Sequence, residues 1–507
     1  MGEFDVIVVG GGIGGLVTAA LLAGEDRRKV LVLEKESAVG GRVLSFGGHH
    51  GQPSADEYRA LLQGGANVRI VQTEPSLETI IDEHRIFEQF ILDPGWHTVG
   101  ATNRNRYSIL AKHFGKSIPV APQIGFYFDR DGEFVDLKDY TKDWPEESRR
   151  EHRRVAAERV AISMDDSRAY DHIDLKSYLE MVTQDQRVRD YYSWLGRFVL
   201  ALNDDTEGSA GEFIRTNNMP IAAGMHLSHG GGNGEVCNGF KTIVDVFAEI
   251  VREHGGEIRT NAFVREIVIE GGRATKVIVG APDDPAPESL EAETIVVNVP
   301  MDAIGKILPI DSFPAELRER IGRIYSAIGM TGFIGVKELV EPDRPSSTFL
   351  ADPLPGDIPL KGGKAWLAYE QTSALDPTRR LPGTTGHYLQ TWTVLHAKGE
   401  ATDDALLRRI ADAHLQFFRD RYPGWDDNYQ WSIFTQAERI YGIAPAPGLI
   451  GDRRPPVQHP LVRNLFFTGD TVSQTDVGTN GAAHGGILCA NAVSGRNFLT
   501  LLPEYLR

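Results

Sequence analysis

The chain has 507 residues, enough for two domains with substantial cores, and its hydrophobic (41%) and charged (24%) fractions are typical of a globular protein. The net charge of −17 argues against a nucleic-acid partner and against electrostatic docking on anionic lipid, so we expect at most peripheral membrane contact. The two cysteines, Cys237 and Cys489, exclude a disulfide framework and a thiolate metal site.

The sequence also indicates where the protein works. No apolar stretch approaches the roughly 20 residues that cross a bilayer. The first predicted strand begins at Phe4, which leaves no room for a signal peptide before it. We therefore expect a cytoplasmic protein.

The first 34 residues predict a strand, a glycine-rich turn, a helix and a second strand. The apolar run Phe4–Val9 leads into Gly10, Gly12 and Gly15, which fit the pattern G-x-G-x-x-G. This turn presents the free N–H groups of a helix N-terminus to a pyrophosphate. The second strand ends at Glu34, at about the 20-residue spacing expected of the acid that binds a ribose hydroxyl. The unit therefore predicts dinucleotide binding.

A second glycine pair indicates which dinucleotide binds. Gly40, Gly41 and Arg42 follow Glu34 directly, which places another close backbone approach and a fixed cation beside the pyrophosphate. This combination resembles the FAD-binding signature of the amine oxidase and phytoene desaturase superfamily. The nearest likeness is to phytoene desaturase-like, carotenoid isomerase-like and retinol saturase-like flavoproteins.

The residues between 49 and 89 interrupt this resemblance and are interpreted as an insertion, which could be a lid, a dimer contact or a solvated excursion. The segment Phe90–Gly100 then resembles the extended stretch that lines the flavin in the family. His97 in that segment is the first candidate for a base that takes the proton accompanying hydride transfer. A hydrogen-bonded structural histidine is the alternative.

The middle of the chain adds two family segments. Gly239–Ile269 predicts an amphipathic helix and two strands, and the resemblance places the backbone around Val264 at the adenine. Thr294–Pro300 resembles the strand that returns to the nucleotide-binding sheet. The histidines His226 and His229 lie three apart before a glycine-rich turn, but a metal site needs more ligands, so we expect no metal.

The later part of the chain bears on the substrate. The segments 366–370 and 387–394 alternate as strands, and 403–418 has helical spacing. Their aromatic residues wall an apolar pocket or, alternatively, form sheet core; they are Tyr369, Tyr388, Trp392 and Tyr441. Amine oxidases often place a lysine near flavin N5. Here the corresponding region 328–333 has none, and Lys337 is the first lysine.

The last family segment is Asn464–Asn480, followed by a helix. The resemblance places Asp470 near the ribityl chain and pyrophosphate, and directs the helix N-terminus at the flavin pyrimidine ring. His484, one turn deeper in that helix, is the second candidate base. Together the resemblance implies non-covalent FAD, held by Gly10, Gly12, Ile13, Gly14, Gly15, Glu34, Lys35, Gly41, Arg42, Val264, Gly469, Asp470, Gly478, Thr479 and Asn480.

The predicted fold is α/β, with a Rossmann-type FAD-binding domain and a discontinuous α+β substrate-binding domain. Residues 1–105, 225–300 and 450–507 are assigned to the FAD-binding domain, and residues 106–224 and 301–449 to the substrate-binding domain. The chain has one convincing dinucleotide fingerprint, so a separate NAD(P)H domain is not expected.

The predicted function is that of an FAD-dependent oxidoreductase. It would transfer hydride between a C–C or C=C bond of an apolar, unsaturated substrate and flavin N5, as desaturases do. The alternatives are an amine oxidase, a redox-neutral double-bond isomerase, and a non-enzymatic binder like the Rab escort and GDP-dissociation-inhibitor proteins. The electron acceptor (oxygen, a quinone or NAD(P)) and the oligomeric state, including a homo-oligomer, stay open.

The first prediction uses the second Gly-Gly-Arg of the chain, Gly271–Arg273, as an internal control. We expect Arg42→Ala to lower FAD affinity more than Arg273→Ala does, because Arg42 should face the pyrophosphate while Arg273 should lie on an exposed hairpin. Flavin content after purification and dialysis measures this. Equal flavin loss in the two variants would show that the site was assigned to the wrong arginine.

Overall fold

The computed structural model describes residues 3–48, 68–95, 98–225, 232–395 and 398–507. Its strands are β1 (Phe4–Val9), β2 (Val30–Leu33), β3 (Val68–Glu74), β4 (Thr98–Val99), β5 (Val120–Pro122), β6 (Gly125–Arg130), β7 (Glu133–Asp136), β8 (Gly234–Val236), β9 (Glu257–Arg259), β10 (Val264–Glu270), β11 (Arg273–Val279), β12 (Glu288–Leu290), β13 (Ala292–Val297), β14 (Ala327–Val336), β15 (Ser347–Ala351), β16 (Pro359–Leu360), β17 (Gly363–Lys364), β18 (Leu367–Glu370), β19 (His387–Leu395), β20 (Tyr429–Tyr441) and β21 (Leu465–Phe467).

The α-helices occur between these strands, with four in succession between β7 and β8. They are α1 (Ile13–Gly24), α2 (Arg106–His113), α3 (Glu146–Ala161), α4 (Leu175–Val182), α5 (Gln186–Val199), α6 (Ala210–Ala222), α7 (Thr242–Glu253), α8 (Ala315–Gly322), α9 (Thr372–Leu375), α10 (Lys398–Ala401), α11 (Asp404–Arg421), α12 (Trp425–Asn428) and α13 (Gly478–Ser494).

A five-stranded parallel sheet in the order β21-β13-β1-β2-β9 forms the nucleotide-binding half. Its central strands are continuous apolar runs because both faces are covered, and on one face Ile7 and Leu31 belong to a core that includes Ile267 and Val277 of β10 and β11. The helices α1, α7 and α13 pack together in one apolar core with the strand residues Val6, Val8 and Val32. The sheet is built from the beginning, the middle and the end of the chain, and the predicted α/β fold class is confirmed.

An eight-stranded sheet in the order β3-β20-β14-β19-β18-β15-β6-β7 forms the second half. The helix α11 covers one face, where Leu407, Ile410 and Phe418 pack on Ile334 and Leu367. The other face carries Thr348, Glu370 and Gln390, which are cross-strand neighbours on β15, β18 and β19. Since successive side chains of a strand alternate between faces, Tyr369 faces α11 and Glu370 faces the opposite side.

The segment interpreted as an insertion joins this sheet where the structure describes it. Residues 49–67 lie outside the described residues, but β3 pairs antiparallel with β20 at the sheet edge. Ile80, Ile86 and Phe87 then pack in a cluster with Phe333 and Trp431. The described half of the segment is thus packed structure and not a solvated excursion. The domain boundaries stay a prediction.

The helices α1 and α13 approach each other closely through glycines. A Cβ on Gly14 would lie 2.6 Å from the Gly469 Cα, and one on Gly485 would lie 2.2 Å from the Gly469 oxygen. The Thr18 hydroxyl joins both helices, since its Oγ1 lies 2.8 Å from the Gly14 carbonyl oxygen and 3.1 Å from that of Gly486. These contacts fix the two helix N-termini beside each other. Within the residues described, no helix is both long and apolar enough to cross a lipid bilayer.

A histidine under the eight-stranded sheet generates a prediction about acid stability. His414 of α11 is fully buried, with Nδ1 at 2.9 Å from Thr391 Oγ1 and Nε2 at 2.7 Å from Thr393 Oγ1. Burial lowers the pKa of His414 to about 3. An unfolded chain binds this proton near pH 6.5. Neutral His414 therefore makes its full contribution to the free energy of unfolding above about pH 6.5. This contribution decreases by about 1.4 kcal/mol per pH unit as the pH falls toward 3.

We expect His414→Gln, which does not titrate, to flatten the decrease of Tm between about pH 6 and 4. Calorimetry across this range measures the effect, with the exposed His172→Gln as the matched control. A pH dependence in His414→Gln as steep as that of the parent would contradict the assignment.

Candidate active site

A cavity of about 680 Å³ lies between the carboxyl ends of the parallel strands and the eight-stranded sheet, on the sheet face that carries Thr348 and Glu370. Val9 and Leu33 at the ends of β1 and β2 line one side, and Thr348 and Glu370 line the other. Ligands of open α/β sheets bind outside the carboxyl ends of the strands, and cavities of this volume hold organic ligands. This is the candidate active site.

The glycine turn forms the floor at the nucleotide end. The helix α1 begins at Ile13, its N-cap residue is Gly12, and no acid lies in its first turn. Gly40 donates its N–H to the Gly11 carbonyl at 3.0 Å, and Gly41 faces Gly12. The two glycine segments thus form one backbone surface at the N-terminus of α1, whose positive dipole end suits a phosphate.

Glu34 lies at the end of β2 with both carboxylate oxygens held by the backbone. Its Oε2 accepts the Gly11 N–H at 2.8 Å and its Oε1 accepts the Glu36 N–H at 3.0 Å. The side chain is buried, and this burial raises the pKa of Glu34 although the two N–H groups oppose the shift. A carboxylate fixed in this way on the cavity wall suits a ribose hydroxyl, as predicted for this residue.

Arg42 and Asp470 are far apart in the sequence and form an ion pair in the cavity wall. Arg42 Nη2 lies 2.7 Å from Asp470 Oδ1, and Asp470 Oδ2 accepts the Gly442 N–H at 2.7 Å. Burial opposes ionisation, but Arg42 and Gly442 together lower the pKa of Asp470. Arg273 instead lies on the exposed hairpin between β10 and β11, with Nη2 at 3.4 Å from the Glu293 carbonyl.

The helix α13 presents its N-terminus to the cavity. Gly478, Thr479 and Asn480 line it, and no acid lies in the first helical turn. The Asn480 side-chain oxygen accepts the Arg106 N–H at 3.3 Å, which ties the start of α13 to α2. A Cβ on Gly481 would lie 2.7 Å from Gln474 Nε2 and 2.8 Å from the Asp476 oxygen, so this glycine allows close packing at the start of α13.

The structure brings the predicted cofactor residues together. All of them except Gly15 line the cavity: Gly10, Gly12, Ile13, Gly14, Glu34, Lys35, Gly41, Arg42, Val264, Gly469, Asp470, Gly478, Thr479 and Asn480. A Cβ on Gly15 would lie 2.3 Å from the Gly10 carbonyl, so Gly15 serves the packing of α1 on β1. Sequence reasoning missed Phe263 and Asn298, which line the same end. Phe263 is 39% exposed, and its position next to Val264 was the available signal.

Only one of the two candidate bases lies among the described residues. His97, with His226 and His229, lies outside the described residues. His484 is buried behind the cavity wall, with Nδ1 at 3.1 Å from the Thr475 carbonyl. Burial, reinforced by Arg106, lowers the pKa of His484 to about 3. It is therefore neutral at physiological pH and does not line the cavity, which corrects its assignment as a base.

Of the four aromatic residues predicted for the pocket wall, Tyr441 lines the cavity. Tyr369 lies on the opposite sheet face, where its hydroxyl contacts that of Tyr422 at 2.6 Å. Tyr388 is on the correct face but is covered, and it donates to the Ile91 carbonyl at 2.7 Å. Trp392 packs in an aromatic cluster with Phe198 behind the lining. Tyr369, Tyr388 and Trp392 are therefore core residues.

Sequence reasoning missed the polar residues at the far end of the cavity. Gln123, Thr348 and Glu370 line it, each less than 3% exposed. Gln123 Nε2 donates to the Thr348 hydroxyl, which donates to Glu370 Oε1. These residues come from β15, β18 and the link between β5 and β6, so no local sequence pattern joins them.

The family model for flavin-containing amine oxidoreductases matches residues 13–494 of the chain. No curated protein matches it in sequence. Among solved structures, an oxidoreductase from Methanosarcina mazei superposes with a TM-score of 0.67 at 15% identity, covering 95% of this chain and 98% of the other.

Two amine oxidases are also similar in fold. Cyclohexylamine oxidase from Brevibacterium oxydans gives a TM-score of 0.61 at 15% identity, and putrescine oxidase bound to putrescine gives 0.61 at 16%. Each comparison covers 97% of this chain and 99% of the other. At these identities the likeness concerns the fold.

The described residues fit FAD. The glycine surface and the N-terminus of α1 suit the pyrophosphate, Glu34 suits the adenosine ribose, and Ala262–Val264 offer backbone and an aromatic ring at the adenine end. The N-terminus of α13 favours negative charge and suits the electron-accepting ring. FAD supplies the hydride-accepting centre when it is bound.

The hydrogen bonds of Glu34 generate a prediction. We expect Glu34→Ala to weaken FAD binding by about 10- to 100-fold, since a charged hydrogen bond contributes about 1.5–3 kcal/mol. Equilibrium dialysis of the apoprotein with FAD measures the Kd, and the exposed Glu257→Ala on β9 is the control. An unchanged Kd would refute the assignment of Glu34. Flavin that remains with the polypeptide after acid precipitation would contradict non-covalent binding.

Proposed function

Since the chain belongs to the family of flavin-containing amine oxidoreductases and is an FAD-dependent oxidoreductase, we propose that its substrate is an apolar, unsaturated small molecule. Hydride passes between a C–C or C=C bond of this molecule and flavin N5. The observation that carries this proposal is the apolar part of the cavity lining. Its members are Val99, Phe198, Val199, Met219, Ile440 and Tyr441.

The lysines support the same choice over amine oxidation. Lys35 and Lys306 are the lysines among the described cavity-lining residues, and both are exposed. Lys337, the first lysine after the β14 region, donates instead to the Asp427 carbonyl on the outer surface. The described interior of the cavity therefore offers no ammonium group to assist an amine-oxidising reaction.

The chain's own residues would contribute positioning and electrostatics. Phe198, Met219 and Tyr441 bind apolar substrate surface and exclude water, which strengthens every electrostatic interaction in the site. The N–H groups at the start of α13 stabilise negative charge on the ring that accepts hydride. Arg42 and Asp470 hold the wall between the nucleotide and substrate ends.

An amine oxidase is the second candidate, and one observation favours it. Glu370 places a buried carboxyl group on the substrate end of the cavity, where it would attract a protonated amine. The fold is also shared with putrescine oxidase and cyclohexylamine oxidase.

An anaerobic titration separates the two candidates. The holoenzyme is mixed under argon with cyclohexylamine, putrescine, partly saturated linear polyenes and cyclic ketones, and bleaching of the flavin absorbance is recorded. We expect polyenes or cyclic ketones to bleach the flavin and both amines to leave it oxidised. Bleaching by an amine alone would overturn the proposed substrate class in favour of amine oxidation.

A further inference from the structure

A buried charge cluster lies directly behind the polar end of the cavity. Arg379 is fully buried, and its guanidinium lies 2.6 Å from Asp93, 2.9 Å from Glu235 and 3.2 Å from Asp376. Glu235 is 0% exposed and is hydrogen-bonded to Glu370. The cluster thus continues from Arg379 through Glu235 to the carboxyl group of Glu370 on the cavity wall.

The charges of this cluster do not balance. Four carboxyl groups, of Asp93, Glu235, Glu370 and Asp376, accompany one guanidinium, and each is at most 1% exposed. Buried like charges are unfavourable, so the cluster is stabilised when a carboxyl group binds a proton. Burial, opposed by Arg379 and reinforced by Glu370 and Asp93, raises the pKa of Glu235 well above its usual value.

A second feature indicates that this end of the cavity suits a polar group of a ligand. Gln123 is 2% exposed and lines the cavity, and its Oε1 has no hydrogen-bond partner among the described residues. A buried amide oxygen without a donor is costly. Its Nε2 is held by the Thr348 hydroxyl, which in turn donates to Glu370. Gln123 therefore offers an unused acceptor near Glu370 for a hydrogen-bond donor on an otherwise apolar substrate.

We propose that Glu370 is the catalytic proton acceptor of this oxidoreductase and that Glu235 is its positioning residue, with a proton shared between the two carboxyl groups. Glu370 touches the substrate, and Glu235 acts through Glu370. The pair takes the role first considered for His484, the exchange of the proton that accompanies hydride transfer.

The step balances with the flavin as the oxidant. One C–H bond of the substrate breaks, and its hydrogen leaves with both electrons as hydride to the flavin. The proton on the neighbouring carbon passes to Glu370, and the electron pair that it leaves forms the new double bond. The substrate loses two electrons, the flavin gains them, and the negative charge of the buried cluster decreases by one. The choice of carbon rests on the proposed function; in amine oxidation the proton comes from nitrogen.

The shared proton is tested first, without substrate. Infrared spectra of the holoenzyme in H₂O and D₂O report the carbonyl stretch of protonated carboxyl groups. We expect one such buried group at pH 7, which is lost in Glu235→Gln, shifted in frequency in Glu370→Gln and unchanged in Glu341→Gln. Glu341 is a matched control because it is a buried carboxyl group that instead accepts from Tyr422 at 2.7 Å. Absence of the band from the parent, or its persistence unshifted in both pair variants, would overturn the inference.

The proton transfer is tested with the compound that bleaches the parent flavin fastest in the anaerobic titration. We expect Glu370→Gln to slow bleaching by about 10²–10⁴-fold, with flavin content and dithionite reduction like those of the parent. We expect Glu235→Gln to change the pH profile of bleaching, with a smaller loss of rate, and Glu341→Gln to leave both unchanged. A Glu370→Gln variant that bleaches at the parental rate would refute the catalytic role. If no compound bleaches the parent, the proposed substrate class fails, while the infrared result still decides for or against the pair.

Discussion

The close approach of backbone to backbone at three glycines is the constraint on which the cavity depends. Gly14 at the start of α1, Gly469 after β21 and Gly485 inside α13 leave no room for a Cβ between them. This contact brings the N-termini of α1 and α13 to one cavity, so that one helix end serves the phosphates and the other serves the ring. A bulkier residue at Gly14 or Gly485 would separate the two helix ends and divide the site.

The two ends of the cavity differ in how their buried charges are balanced. At the nucleotide end, Asp470 is matched by Arg42 and two carboxylate oxygens of Glu34 are matched by backbone N–H groups, so each charge has its partner before any ligand arrives. At the substrate end, one arginine faces four buried carboxyl groups. A preorganised end suits a cofactor that stays bound, whereas an unbalanced end suits a reaction in which a proton comes and goes.

The sequence predicted the nucleotide end well because its signals are local. The turn after β1, the acid after β2 and the glycines around Asp470 each lie within a few residues of a strand end, and strand ends in a parallel sheet converge. The substrate end depends on long-range packing. Alternation along 366–370 places Tyr369 and Glu370 on opposite faces, but the sequence does not tell which face the cavity occupies. No local sequence pattern connects Glu235 with Glu370, and none predicts that β3 pairs with β20.

The parallel sheet contains strands from distant parts of the chain, so the order of synthesis determines when the sheet can be completed. The glycine turn after β1 emerges from the ribosome more than 400 residues before the strand β21 and the helix α13. Until they emerge, β13 remains an open edge and apolar surface of α1 stays bare, which is the state in which large proteins aggregate. A site that needs both helix N-termini can bind FAD only after β21 and α13 have emerged, and binding then stabilises the folded state.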